Sequence, residues 1–142
     1  MKGITPRYSI TGDTALAILN QVFARANQHG KAIFVAVVDG SGELCGLLAH
    51  DEAPAICRRI SQDKAYTAYA TRMNTTTWKN YVYSTPVEER ELMLRQERYI
   101  AASGGCPILI VGRVAGAVGV SGAGQDLDEE LAAFGAALAV GI

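Results

Sequence analysis

The sequence predicts an α+β fold, an antiparallel sheet with helices packed against it. Two observations carry this. Twice along the chain, a pair of short apolar runs is joined by a glycine-bearing turn, the pattern of a β-hairpin. Before, between and after these pairs lie longer segments whose apolar residues recur at helical spacing. Hairpins demand antiparallel pairing, and amphipathic helices must bury their stripes against the sheet.

Thr11 reads as the N-cap of a first helix, with Asp13 in the first turn, where a carboxylate suits the helix dipole. Ala15, Leu16, Leu19, Val22, Phe23 and Ala26 then line one face, and Gly30 ends the helix. Residues 32–38 are almost continuously apolar and β-branched, Asp39-Gly40-Ser41-Gly42 has turn chemistry, and residues 44–49 are apolar again. Continuous apolarity predicts strands covered on both faces. Pro54 opens a second helix to about Arg72, Asn74 offers a cap for a short helix through Trp78 and Tyr81, and Pro86 starts another over 87–101. Ser103-Gly104-Gly105 breaks that helix. A second hairpin follows, 107–111 and 114–120, with Gly112-Arg113 at its turn. Gly116 and Gly119 inside its second strand mark a bulge or a close backbone approach. Leu127, Leu131, Phe134 and Leu138 line a C-terminal helix.

At 142 residues the chain is expected to form one domain over 1–142. A formal net charge of -1 leaves no basic surplus for phosphates, which excludes nucleic acid as the expected partner. The cysteines, Cys45, Cys57 and Cys106, are odd in number and widely spaced, against a disulfide framework or a thiolate zinc site. Residues 1–10 lack the apolar core of a signal peptide, and the apolar run 132–142 is about half a membrane span. The expectation is a cytoplasmic protein with no membrane partner.

The strongest local feature is Gly119-Val120-Ser121-Gly122-Ala123-Gly124-Gln125-Asp126, which leaves a strand and enters a helix. Glycines admit close backbone approach, a helix start attracts anions, and Ser121 adds a hydroxyl. The alternative is a tight turn capped by Asp126. Gly104-Gly105, before the adjacent strand, would share the same sheet edge. Lys64 interrupts an inward stripe of Ile56, Cys57, Ile60, Thr67 and Ala68. It reads either as a cation for a ligand carboxylate or as a buried lysine tying loop carbonyls together. Cys106 beside Gly105 is a candidate nucleophile or soft ligand, against the reading of a small buried hydrophobe. His29 suits a helix C-terminus. His50, just after a strand, is the better candidate for a haem or metal ligand.

Four segments appear in the order found in GlcG/HbpS-type proteins: Ala36-Val37-Val38-Asp39-Gly40-Ser41-Gly42, Ser61-x-Asp63-Lys64-Ala65-Tyr66-Thr67-Ala68, Gly104-Gly105-Cys106-Pro107-Ile108 and Gly116-Ala117-Val118-Gly119-Val120-Ser121-Gly122. Over residues 11–141 the chain resembles this haem-degrading or haem-binding family, which includes the C-terminal domain of PduO-type proteins. The resemblance implies a profilin-like antiparallel sheet of about five strands surrounded by helices, and assembly into homo-oligomers. It also implies a pocket built from Asp39, Lys64, Gly104, Gly105, Ser121 and Gly122. Some family members bind haem, and many are encoded beside glycolate, propanediol or glycerol utilisation genes. Others resemble small enzymes acting on ring-cleavage products.

Three functions follow as expectations. The first is a binding protein for haem, a corrinoid or a small metabolite, with Asp39, Lys64, Gly104, Gly105, Cys106, Ser121, Gly122 and Asp126 around the ligand. In it, His50 or Cys106 is the candidate iron ligand. The second is a small hydrolase or tautomerase on a hydroxy- or keto-acid. There Lys64 would hold a carboxylate, Ser121 would stabilise an oxyanion, and Asp39 or Asp126 would move protons. The third is an oligomeric assembly subunit.

Overall fold

Strand β1 (Phe34–Val38) is buried at all five positions and stands at the centre of the molecule. The computed structural model describes residues 2–141. Met1 and Ile142, which end the N-terminal stretch and the C-terminal apolar run considered above, lie outside the described residues. Helix α1 (Gly12–Gln28) precedes β1 and begins where its cap predicts, with Thr11 Oγ1 accepting from the Thr14 N–H at 3.1 Å. Strand β2 (Leu44–Ala49) completes the first hairpin. Helices α2 (Ile56–Thr71), α3 (Thr75–Ser84) and α4 (Val87–Leu94) follow, then the hairpin β3 (Gly105–Ile110) and β4 (Arg113–Ser121), then α5 (Gln125–Leu138).

The four strands run β2-β1-β4-β3, each antiparallel to its neighbour. The sheet thus has one strand fewer than the family resemblance implies. The chain before α1 meets β4 through the Ile10 N–H to Ala115 carbonyl bond at 2.9 Å, and forms no ladder there. Residues beyond Leu94 also depart from expectation, since α4 stops short of 101. Thr67 Oγ1 donates to the Arg98 carbonyl and accepts from the Ile100 N–H, which draws this stretch onto α2 instead of extending the helix. Coverage on both faces holds for β1 but not for β2, an edge strand that leaves Leu44 exposed.

Side chains alternate across the sheet, so each strand feeds two cores. Val35, Val37, Ile108, Val118 and Val120 pack with Ile18 and Val22 of α1 and Leu131 of α5. On the other face Ala36, Val38 and Ala117 meet Ala65 and Ala68 of α2. This second layer is made of small residues, and its tightest point is the Gly105–Gly119 pair across β3 and β4. A Cβ on Gly119 would overlap the Ser61 carbonyl oxygen, and one on Gly105 would overlap that of Lys64. Gly119 therefore marks a close approach, with a helix as the approaching backbone. Gly116 lies beside the register shift between Ile108 and Leu109, so it marks the bulge.

Because the α2 backbone cannot retreat without opening this face, Gly119→Ala is expected to cost about 3 kcal/mol in urea unfolding. Gly12→Ala, where an added Cβ meets nothing within 4 Å, is expected to stay within about 1 kcal/mol of the parent. Equal effects from the two would refute the packing account.

Candidate functional site

The inward face of α2 carries Cys57, Ser61, Lys64, Ala65, Thr67 and Ala68, while Ile56 is exposed. The buried stripe is thus rotated from the one read in the sequence, toward Ser61 and Ala65. Lys64 keeps its inward place and is 3% exposed. Its ammonium donates to the Val120 carbonyl at 2.9 Å and to Asp128 Oδ2 at 3.1 Å. Asp128 Oδ1 accepts from the Ala123 N–H at 2.9 Å, so the carboxylate spans the strand-to-helix turn. Burial pushes the Asp128 carboxyl above its ordinary range, although Lys64 and the turn N–H groups pull the other way. Of the two readings of Lys64, the geometry is that of a lysine tying a loop carbonyl and an internal carboxylate.

Both glycine segments wrap this ion pair. Gly104, at φ 126°, accepts from the Val120 N–H at 2.8 Å, and a Cβ there would lie 2.6 Å from the Val120 oxygen and 2.8 Å from Lys64 Nζ. Gly122, at φ 127°, packs on the carbonyl of Ala32. Ser121 is buried and pairs with Phe34 at the same end of the sheet. Lys64, Gly104, Gly105, Ser121 and Gly122 are therefore neighbours, joined by Asp128. Asp126 is exposed in the first turn of α5.

The sequence places Asp128 with Asp126 as a carboxylate satisfying the start of the last helix, but not its pairing with Lys64, although its spacing with Leu131, Ala132, Gly135 and Ala136 puts it on the buried stripe of α5. Sequence reasoning missed a polar cluster on the outer side of Gly104. There, Ser103 Oγ accepts from Thr76 at 2.7 Å and from Lys79 at 3.2 Å, and Gln125 Oε1 accepts from the Ser103 N–H and from Lys79. These residues are far apart in sequence and gave no local signal.

The remaining candidates lie apart. Asp39 stands at the far end of β1 from Ser121, where its Oδ1 accepts from the N–H groups of Ser41 and Glu43 and shapes the hairpin turn. Cys106 is half-buried beside the α1–α5 core, and burial pushes its thiol up, with Glu129 adding to the rise. That disfavours the thiolate a nucleophile requires. His50 follows β2 at the Ser121 end, across β1 from the glycine segments. Its Nδ1 accepts from the Glu52 N–H at 3.0 Å and its ring lies 6.1 Å from that of Phe23. His29 caps α1, and Trp78 packs with Tyr81 and Tyr99. Among the described residues no group of three His, Cys, Asp or Glu could hold a metal ion. No helix there is long and apolar enough to cross a membrane.

A cleft of about 480 Å³ opens at the Asp39 end, between the segment before α1, Gly40, the close of α2 and the β3–β4 turn. Its volume falls in the range of roughly 300–1,000 Å³ usual for small-ligand sites. An antiparallel sheet with helices on both of its faces defines a small α+β scaffold. Residues 10–137 match the family described as "Haem degrading protein HbpS-like". The protein GlcG of Escherichia coli K12 is 31% identical over 107 residues, which cover 75% of this chain and 77% of GlcG. The crystal structure of Klebsiella pneumoniae protein ORFY superposes with a TM-score of 0.92 at 27% identity, covering 100% of this chain and 98% of that one. At 22% identity and a TM-score of 0.82, covering 91% of this chain and 94% of the other, the PduOC structure in complex with haem shares the fold. The chain belongs to the HbpS-like family.

Breaking the buried pair from one side is expected to be severe. Lys64→Met or Asp128→Leu should each cost about 3–5 kcal/mol, and the two together should cost less than these singles summed. Additive losses in urea titrations would show that the two groups do not depend on each other.

The pH dependence follows from the raised carboxyl. A folded-state value above the unfolded one gives a contribution that is full below the unfolded value and is lost as pH rises through the folded one. The stability of the parent minus that of Asp128→Asn should therefore grow from about pH 7 to about pH 4. A difference that shrinks over this interval would place the carboxyl below its ordinary range.

Proposed function

We propose that this chain is a cytoplasmic small-ligand-binding protein whose ligand is haem or a related tetrapyrrole such as a corrinoid. It would act as a homo-oligomer in small-metabolite utilisation. The observation that carries this reading is the family match over residues 10–137, with its haem-degrading description. The haem complex of PduOC, a protein of the same fold, supports it.

His50 is the side chain that fits iron best. It is half-buried at the sheet end, and its imidazole is held by one backbone hydrogen bond. Because Nδ1 accepts that bond, the neutral ring carries its proton on Nε2. Ligation requires the ring to release the Glu52 N–H, at a cost of about 1 kcal/mol. Cys106 fits less well, since its thiol is held protonated by burial. When bound, haem would bring an iron centre whose behaviour follows the axial ligand and the polarity around it.

The proton-transfer reading of Lys64, Ser121 and Asp39 has less support. Asp39 and Ser121 sit at opposite ends of β1, and Lys64 is engaged by Asp128.

Titration with hemin should give a Soret band in the parent and in Cys106→Ala. In His50→Ala the affinity should fall by roughly tenfold or more. No band in the parent would sink the haem reading, and an unchanged band in His50→Ala would remove His50 as the ligand.

A further inference from the structure

The cleft at the Asp39 end has a chemistry that the haem reading leaves unused. Three arginines, Arg7, Arg72 and Arg113, are among the residues that line it, and no acidic residue is. None of the three forms an ion pair among the described residues. The acid next to the cleft, Asp39, has its Oδ1 engaged by the N–H groups of Ser41 and Glu43. With a formal net charge of -1 for the whole chain, this clustering is local and not the surplus of a basic protein.

The Arg113 guanidinium is held in place, and the backbone of Arg72 is fixed. Arg113 donates to the Pro6 carbonyl at 2.9 Å and lies 5.6 Å from the Tyr8 ring centroid. Arg72 closes α2 in the left-handed conformation, at φ 62°, with its N–H on the Ala68 carbonyl. That conformation costs a residue with a side chain about 1 kcal/mol relative to glycine, and here it is occupied by arginine. The carbonyl end of α2 disfavours an anion, so the attraction comes from the guanidiniums alone. Pro6, Tyr69 and Leu109 give the cleft apolar wall, against which a carbon frame can lie.

We propose that this cleft binds a small organic acid carrying two or more carboxylates. A guanidinium meets a carboxylate with two parallel hydrogen bonds. Paired this way, a single carboxylate would leave two of the three cations without a partner, a dicarboxylate one and a tricarboxylate none. An inorganic anion would leave the apolar wall unused. The site is independent of the haem reading, because His50 stands at the other end of the sheet.

Isothermal titration of the whole protein with succinate, citrate, propionate and inorganic phosphate at low salt tests this. Succinate and citrate should bind, propionate should bind about tenfold more weakly or not at all, and added salt should weaken all binding. Arg72→Gln with Arg113→Gln should lower succinate affinity by about a hundredfold, or about tenfold for each guanidinium. Arg7→Gln with Arg72→Gln should do the same while leaving the Arg113–Pro6 bond intact, so a loosened N-terminal segment cannot account for the loss. The proposal is overturned if neither acid binds the parent, or if both double variants bind succinate unchanged. Tighter binding of phosphate than of succinate would overturn it in favour of a phosphoryl site. A hemin Soret band lost in the arginine variants would also overturn it, by giving the guanidiniums to the carboxylates of haem.

Discussion

The buried pair between Lys64 and Asp128 sets the geometry on which the rest of one sheet end depends. A charge in an apolar interior is tolerated when it is paired and hydrogen-bonded, and here each partner also holds the backbone. The ammonium grips the Val120 carbonyl and the carboxylate grips the Ala123 N–H, so one contact ties α2, the end of β4 and the start of α5. Such pairs contribute little net stability against a well-packed apolar replacement. Their effect here is to fix how three elements meet.

The glycines around the pair follow from it. Gly104 leaves room for the ammonium, and Gly105 and Gly119 let α2 lie directly on the sheet, which brings Lys64 within reach of Val120. Two cores then divide the work. The α1–α5 face is filled by valine, isoleucine and leucine, while the α2 face relies on alanine, glycine and close contact. Large side chains can shift to absorb a small change, whereas backbone against backbone cannot.

Much of this was legible in the sequence because it is local. The Thr11 and Asn74 caps and the two hairpins are each written within a few residues, and the structure has them, whereas of the stripe read on the last helix only Leu131 is buried, Leu127, Phe134 and Leu138 being partly so. The end of α4 was not legible, because it is set by Thr67, about thirty residues earlier. The glycine segments were visible, but a glycine records only that something comes close. The approaching backbone at Gly105 and Gly119 is that of α2. Lys64 was marked as out of place on its stripe, yet its partner lies 64 residues away, beyond any periodicity. The arginine cleft was invisible for the same reason, since its three cations come from three separate parts of the chain.

Helix α4 buries none of its residues, and Arg95–Glu91 on its surface is a solvent-exposed pair. It is therefore a section of ordered chain that neither core requires. A segment of this kind opens locally at little free-energy cost, and its backbone amides exchange with solvent long before those of β1. It also separates two demands on the same sequence. The elements before and after it are bound by close packing, whereas no buried side chain constrains residues 87–94. None of the α4 side chains touches the ion pair that holds the sheet end together.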